Sequence, residues 1–137
     1  MEIACALLCD AATVREGLLH VLGGGVTRVN SPQFPAPMNT ALALEISVHP
    51  TEGGNDHQLQ ILVQTEDGSR IAELGAAFNV SADPSGDTQP GEQFNVPLVV
   101  PLQMVGLPVA GGYSVEILID GTHRRSIAFW AVLHAQP

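Results

Sequence analysis

Gly112-Tyr-Ser-Val-Glu-Ile-Leu-Ile-Asp-Gly-Thr-His-Arg-Arg-Ser-Ile-Ala-Phe-Trp-Ala-Val132 decides the fold. Its first arm alternates, with Tyr113, Val115, Ile117 and Ile119 on one side and Ser114, Glu116, Leu118 and Asp120 on the other. A period of two in β-branched residues marks a half-buried strand. Asp120-Gly121 supplies a turn, because glycine tolerates the positive φ that tight hairpins need. The second arm offers Ile127, Phe129, Ala131 and Leu133 on one face. For the two apolar rows to share a side, the loop is expected to hold an odd number of residues, as in a turn plus bulge. That register sets Glu116 near Arg124 on the outer face.

Working outward, Thr40–His49 alternates with Leu42, Leu44, Ile46 and Val48 inward and Ala43, Glu45, Ser47 and His49 outward. His57–Thr65 repeats the pattern through Leu59, Ile61 and Val63, and Asp67-Gly68 turns the chain into Ile71–Val80. Gln93–Met104 carries Phe94, Val96, Leu98, Val100 and Leu102 on one face and Pro97 and Pro101 on the other parity. Amides of one parity point to one side of a strand, so both prolines blank a single edge. This strand therefore belongs at a sheet edge. Ser31–Met38 holds Pro32, Pro35 and Pro37 and reads as an extended crossover with Phe34 plugging the core.

Residues 3–22 admit two readings. Leu7, Ala11, Val14, Leu18 and Leu22 recur at helical spacing, but Gly17 interrupts them and Gly23-Gly24-Gly25 follows. Two strands, Ile3–Cys9 and Leu18–Asn30, joined by a polar turn over Asp10–Glu16, fit better, with the glycines marking a bend or bulge. The expected architecture is a single domain over 1–137: an all-β, two-layer antiparallel β-sandwich of about eight strands in an immunoglobulin-like layout.

The 137 residues are 45% hydrophobic, enough for one core, and the 14 Gly and 10 Pro suit many short strands. Five Arg and no Lys against 14 acidic residues give a net charge of −9. This argues against nucleic acid and against an anionic membrane, both of which need clustered cations. Cys5 and Cys9 lie about 13 Å apart on a strand at ~3.3 Å per residue, too far to bond, and read as buried free thiols. The start lacks the basic and long apolar segments of a signal sequence, so a cytoplasmic location is expected.

Gly17-Leu-Leu-His-Val-Leu-Gly-Gly-Gly25, the Pro-rich crossover, Asp67-Gly68, Pro90-Gly91, Gly112-Tyr113 and Asp120-Gly121 together resemble an uncharacterised family of small actinobacterial β-sandwich proteins. Members commonly carry Lys after the first glycine and an aromatic after the glycine run, where this chain has Leu18 and Val26. The resemblance implies the sandwich and carries over no catalytic or binding residue.

Chemistry is sparse. There is no Gly-x-Ser-x-Gly elbow. Cys5 or Cys9 with a distant His could form a dyad, but apolar neighbours raise a thiol's pKa. His49 and His57 flank one turn with Glu52 and Asp56, a zinc-like set without a fixed motif. Asp83, Asp87 and Glu92 suggest calcium at a spacing that matches no EF-hand. No cofactor or metal is expected. Leu118, Trp130 and Val132 instead stand on the outward parity, where apolar side chains need a cover, either the Pro-rich crossover or C-terminal His134–Pro137 of the same chain or another subunit or partner. They form the candidate interface. The expected function is a non-enzymatic protein-interaction or structural module, homodimeric through this face. The rival is a small-molecule or carbohydrate-binding domain using loops 50–56 and 81–92.

Overall fold

The computed structural model describes residues 1–80 and 89–134. Among them twelve strands follow one another: β1 (Glu2–Cys9), β2 (Ala11–Arg15), β3 (Leu18–Leu22), β4 (Arg28–Ser31), β5 (Ala36–Pro37), β6 (Ala41–Val48), β7 (Asp56–Thr65), β8 (Arg70–Asn79), β9 (Phe94–Pro101), β10 (Gly106–Leu107), β11 (Gly111–Ile119) and β12 (Thr122–Leu133). One 3-10 turn covers Pro50–Glu52. No helix among the described residues is long and apolar enough to cross a membrane.

The opening hairpin forms as β11 and β12, with Tyr113 opposite Phe129 and Val115 opposite Ile127. The apolar rows do share a face, but the extra residue sits elsewhere. Asp120 (φ 52°) and Gly121 (φ 80°) make a two-residue turn, and the bulge falls opposite Ile117/Leu118. The bulge turns Arg124 out of register, so Glu116 faces Ser126 and not Arg124. Leu133, expected inward, is exposed, because the β11 ladder ends at Gly111–Ala131 and β12 beyond it pairs only with β4.

Two sheets stack. One has the order β4-β12-β11-β7-β8, with β4 parallel to β12, and the other the order β1-β6-β9. Between them lie the inward rows of β6 (Leu42, Leu44, Ile46, Val48), β7 (Leu59, Ile61, Val63) and β11 (Tyr113 to Ile119), with Leu8 and Phe129. The Tyr113 ring stacks on Phe129 at 5.5 Å, and its hydroxyl donates to the Val109 carbonyl (2.6 Å). The strand β9 lies at a sheet edge, as its prolines demand.

The count rises from about eight to twelve for two reasons. Ala36–Pro37 and Gly106–Leu107 form a two-residue bridge where the Pro-rich crossover passes, with Phe34-Pro35 cis. More consequentially, the expected polar turn Asp10–Glu16 is β2, and the expected strand Leu18–Asn30 is broken into β3 and β4. Ala11–Arg15 pairs with Leu18–Leu22 through a turn at Glu16-Gly17, both at positive φ. Gly23 and Gly25, also at positive φ, bend the chain away towards β4. This ribbon folds over β6 and buries Cys9, Ala41 and Ala43 against Ala12, Leu19 and Val21. Ala43, expected outward, is thus fully buried. No helix spans Leu7 to Leu22.

Ile117 is fully buried and Leu118, its neighbour on the outer face, only partly. Ile117→Ala should cost about 2–5 kcal/mol in urea unfolding, whereas Leu118→Ala should cost about 1 kcal/mol or less. Equal losses would contradict the assigned faces.

Candidate functional site

The outer face of the five-stranded sheet carries a polar cluster around Glu116. The β12 strand sets Trp130 between Arg28 of β4 and Gly112 of β11. The next row runs Ala128, Ser114, Gln64, and the one after it Ser126, Glu116, Leu62. Small residues at 112, 114 and 128 leave a hollow of about 340 Å³ beside the Trp130 ring, with Gln64, Glu66 and Glu116 on its walls. Glycine at 112 leaves room for the Glu66 carboxylate, which a side chain there would push aside.

Glu116 is the hub of the row. It accepts hydrogen bonds from Ser114 Oγ (2.9 Å), Gln64 Nε2 (3.4 Å), His123 Nε2 (2.6 Å) and Ser126 Oγ. Burial pulls this carboxyl up, and the bonds from Ser126, His123 and Ser114 outweigh it, so Glu116 sits below its ordinary value. Ser126, His123 and Glu116 look like a hydrolytic triad in composition. The geometry is different: His123 meets both Glu116 and Ser126 (3.0 Å) through the same nitrogen, Nε2. A relay needs the acid on one ring nitrogen and the nucleophile on the other. The cluster is a locked carboxylate.

Of the candidate interface residues, Trp130 is 55% exposed, and Val132, two residues along β12, is half-buried beside Asn30. Leu118 is also half-buried, but it lies about 20 Å away along β11 at ~3.4 Å per residue. Ser114, Glu116 and Ser126 lie between it and Trp130, and His123 stands directly opposite it. The structure therefore brings two of the three together. With the Pro-rich crossover in place the Trp130 ring stays open, and of His134–Pro137 residues 135–137 lie outside the described residues.

The other sequence candidates are occupied by structural work. His49 Nδ1 accepts the Thr51 N–H (3.2 Å) while Glu52 accepts the His49 N–H (2.9 Å), which closes the 3-10 turn. His57 points elsewhere: Nδ1 donates to Asp120 (2.7 Å) and Nε2 to the Glu52 carbonyl (3.2 Å). Asp56 accepts from Asn79 (2.7 Å). No three metal-ligating side chains gather among the described residues. Asp83 and Asp87 lie outside the described residues, and Glu92 accepts the Gln89 N–H (2.8 Å). Cys9 is buried, its thiol raised by burial and then by Asp10, and it points at the Ala41 carbonyl (3.5 Å). That is a packing thiol.

These features define a class: an all-β domain of stacked sheets. The chain belongs to a family of unknown function (DUF6941), whose model matches residues 4–131. No curated protein matches it.

The His57–Asp120 pair ties the β11–β12 turn to β7 and makes stability depend on pH. The bond to Asp120 raises the His57 pKa above its ordinary 6.5. Its contribution is complete below about pH 6.5 and is lost as pH rises through the raised value. Asp120 is held below its ordinary 3.8 by the same bond, so its share is lost only as pH falls through that lowered value. Urea midpoints should decline from about pH 6 to about pH 9 in the native chain, and Asp120→Asn should flatten that decline. An unchanged slope in Asp120→Asn would contradict the pair.

Proposed function

We propose that the chain is a non-enzymatic interaction module that meets a partner protein through the outer face of the five-stranded sheet, around Trp130. The observation that carries this reading is the chain's one tryptophan standing open on a paired, rigid sheet, beside a hollow walled by polar groups. Aromatic anchors with a polar surround are what interface centres use. The face suits a different chain better than a second copy, because a polar row divides its apolar residues. The locked Glu116 cluster supports binding over catalysis. The charge of −9 favours a partner other than nucleic acid or an anionic membrane.

The immunoglobulin-like layout is part of the proposal. It is supported by the order β12-β11-β7-β8 facing β1-β6-β9, by the parallel β4 edge, and by the Tyr113 hydroxyl bonded back to Val109 at the start of β11. Cytoplasmic placement is likewise proposed, on the two free cysteines. So is an actinobacterial source, on the glycine and proline pattern.

A second reading, recognition of a small molecule or carbohydrate, rests on the same hollow, where a ring face and the amide and carboxylate groups of Gln64, Glu66 and Glu116 converge. It no longer rests on residues 50–56, whose turn is closed by its own side chains; of loop 81–92, residues 81–88 lie outside the described residues.

Affinity purification from the native host tests the proposal. The native chain should retain a protein that Trp130→Ser loses at an unchanged melting temperature, and adding that protein should blue-shift Trp130 emission. Identical captures by both chains would refute it. An emission shift with soluble saccharides alone would favour the second reading.

A further inference from the structure

We propose that the free edge of β8 is a self-pairing surface: a second copy of this chain adds its own β8 antiparallel, joining two five-stranded sheets into one. This goes beyond the Trp130 reading and does not depend on it.

The hydrogen bonds show which backbone groups are available. Gln58 presents its carbonyl to Asp120 N–H of the β11 turn (2.8 Å), while Thr65 donates to Ser69 on the β8 side (2.9 Å). Successive residues of a strand address alternate sides, so Leu59, Ile61 and Val63 address β8. Their partners Ala76, Leu74 and Ala72 are thereby used. Glu73, Gly75 and Ala77 then aim N–H and C=O away from β7, where no strand pairs among the described residues.

The edge of the other sheet is treated differently. Leu102 donates to Thr40 beside β6 (3.2 Å), so the outward positions of β9 are 95, 97, 99 and 101, and two of these four are proline. Natural sheets blunt edges this way to stop pairing. In contrast, β8 has ten residues, no proline, and one charge between Ile71 and Asn79, Glu73, already bound to Arg70 (3.1 Å).

A second copy fits this edge by its own pattern. A two-fold axis at Gly75 sets Gly75 opposite Gly75, and Glu73 opposite Ala77, so outward backbone groups meet outward groups. On the inward row the same axis sets Phe78 opposite Ala72 and Leu74 opposite Ala76, large against small at each step. Registers that bring Glu73 to face itself are penalised by like charge. A chain of net charge −9 can approach its copy closely only on a nearly uncharged strip, and β8 is one. The apolar cleft of about 180 Å³ between β8 and Val99–Pro101 opens along this edge, and the second inward row lies against it. Both Trp130 faces then turn to the same side of the joined sheet, which makes the module bivalent.

Sedimentation equilibrium across the micromolar range tests this, with Gly75→Lys as the main variant. Position 75 is exposed on the outer face, so the fold should persist by circular dichroism, while like charges meet at the axis. The native chain and Trp130→Ser should both dimerise, and Gly75→Lys should weaken dimerisation about tenfold or more. Amide exchange gives a second readout: Glu73, Gly75 and Ala77 should be protected in the native dimer and lose protection in Gly75→Lys, with Ala72, Leu74 and Ala76 unchanged. A native monomer at every concentration would overturn the proposal. So would a dimer indifferent to Gly75→Lys, or one lost in Trp130→Ser.

Discussion

Burial of β6 on both of its faces is the constraint that the rest of the structure obeys. Leu42, Leu44, Ile46 and Val48 are wholly removed from water on one side, and Ala41 and Ala43 on the other. Each large branched side chain contributes on the order of 1.5–3 kcal/mol when fully buried, so the β7 and β11 rows must lie opposite. At Ala41 and Ala43 the second face is covered by the β2–β3 ribbon together with Cys9 of β1, while Glu45 and Ser47 on that face stay partly exposed. Two layers and a partial third follow from one strand.

The main strands were legible because their inward residues are branched and their outward ones polar, as in β7, where Leu59, Ile61 and Val63 alternate with Gln58, Gln60 and Gln64. Pro97 and Pro101 placed β9 at an edge for a reason intrinsic to proline. The ribbon was not legible. Leu18–Leu22 alternates weakly, with Leu on both parities, and Ala43 looks outward-facing until something is known to cover it. The bulge opposite Ile117/Leu118 was also hidden, since parity requires an extra residue without saying where. Leu133 misled because period two does not reveal where a neighbouring ladder stops.

The candidate site was half legible. Outward parity singled out Leu118, Trp130 and Val132, and two of these do stand together. The Glu116 cluster needed the sheet order, because Gln64 of β7 lies 52 residues before Glu116, and it needed the hairpin register that sets Ser126 opposite Glu116. Its carboxylate is satisfied by four side-chain hydrogen bonds on the face that carries Trp130. The β9 and β8 edges complete the contrast: the first is blanked by proline, and the second pairs with no further strand among the described residues.

Double-sided burial of β6 is tested most directly by methyl contacts in nuclear magnetic resonance. The account predicts that the Ala43 methyl shows cross-relaxation with Leu19 and Val21 of the ribbon, while Leu44 shows it with the Val115 and Ile117 row. An Ala43 methyl without ribbon contacts, or Leu44 and Ala43 sharing the same neighbours, would contradict it.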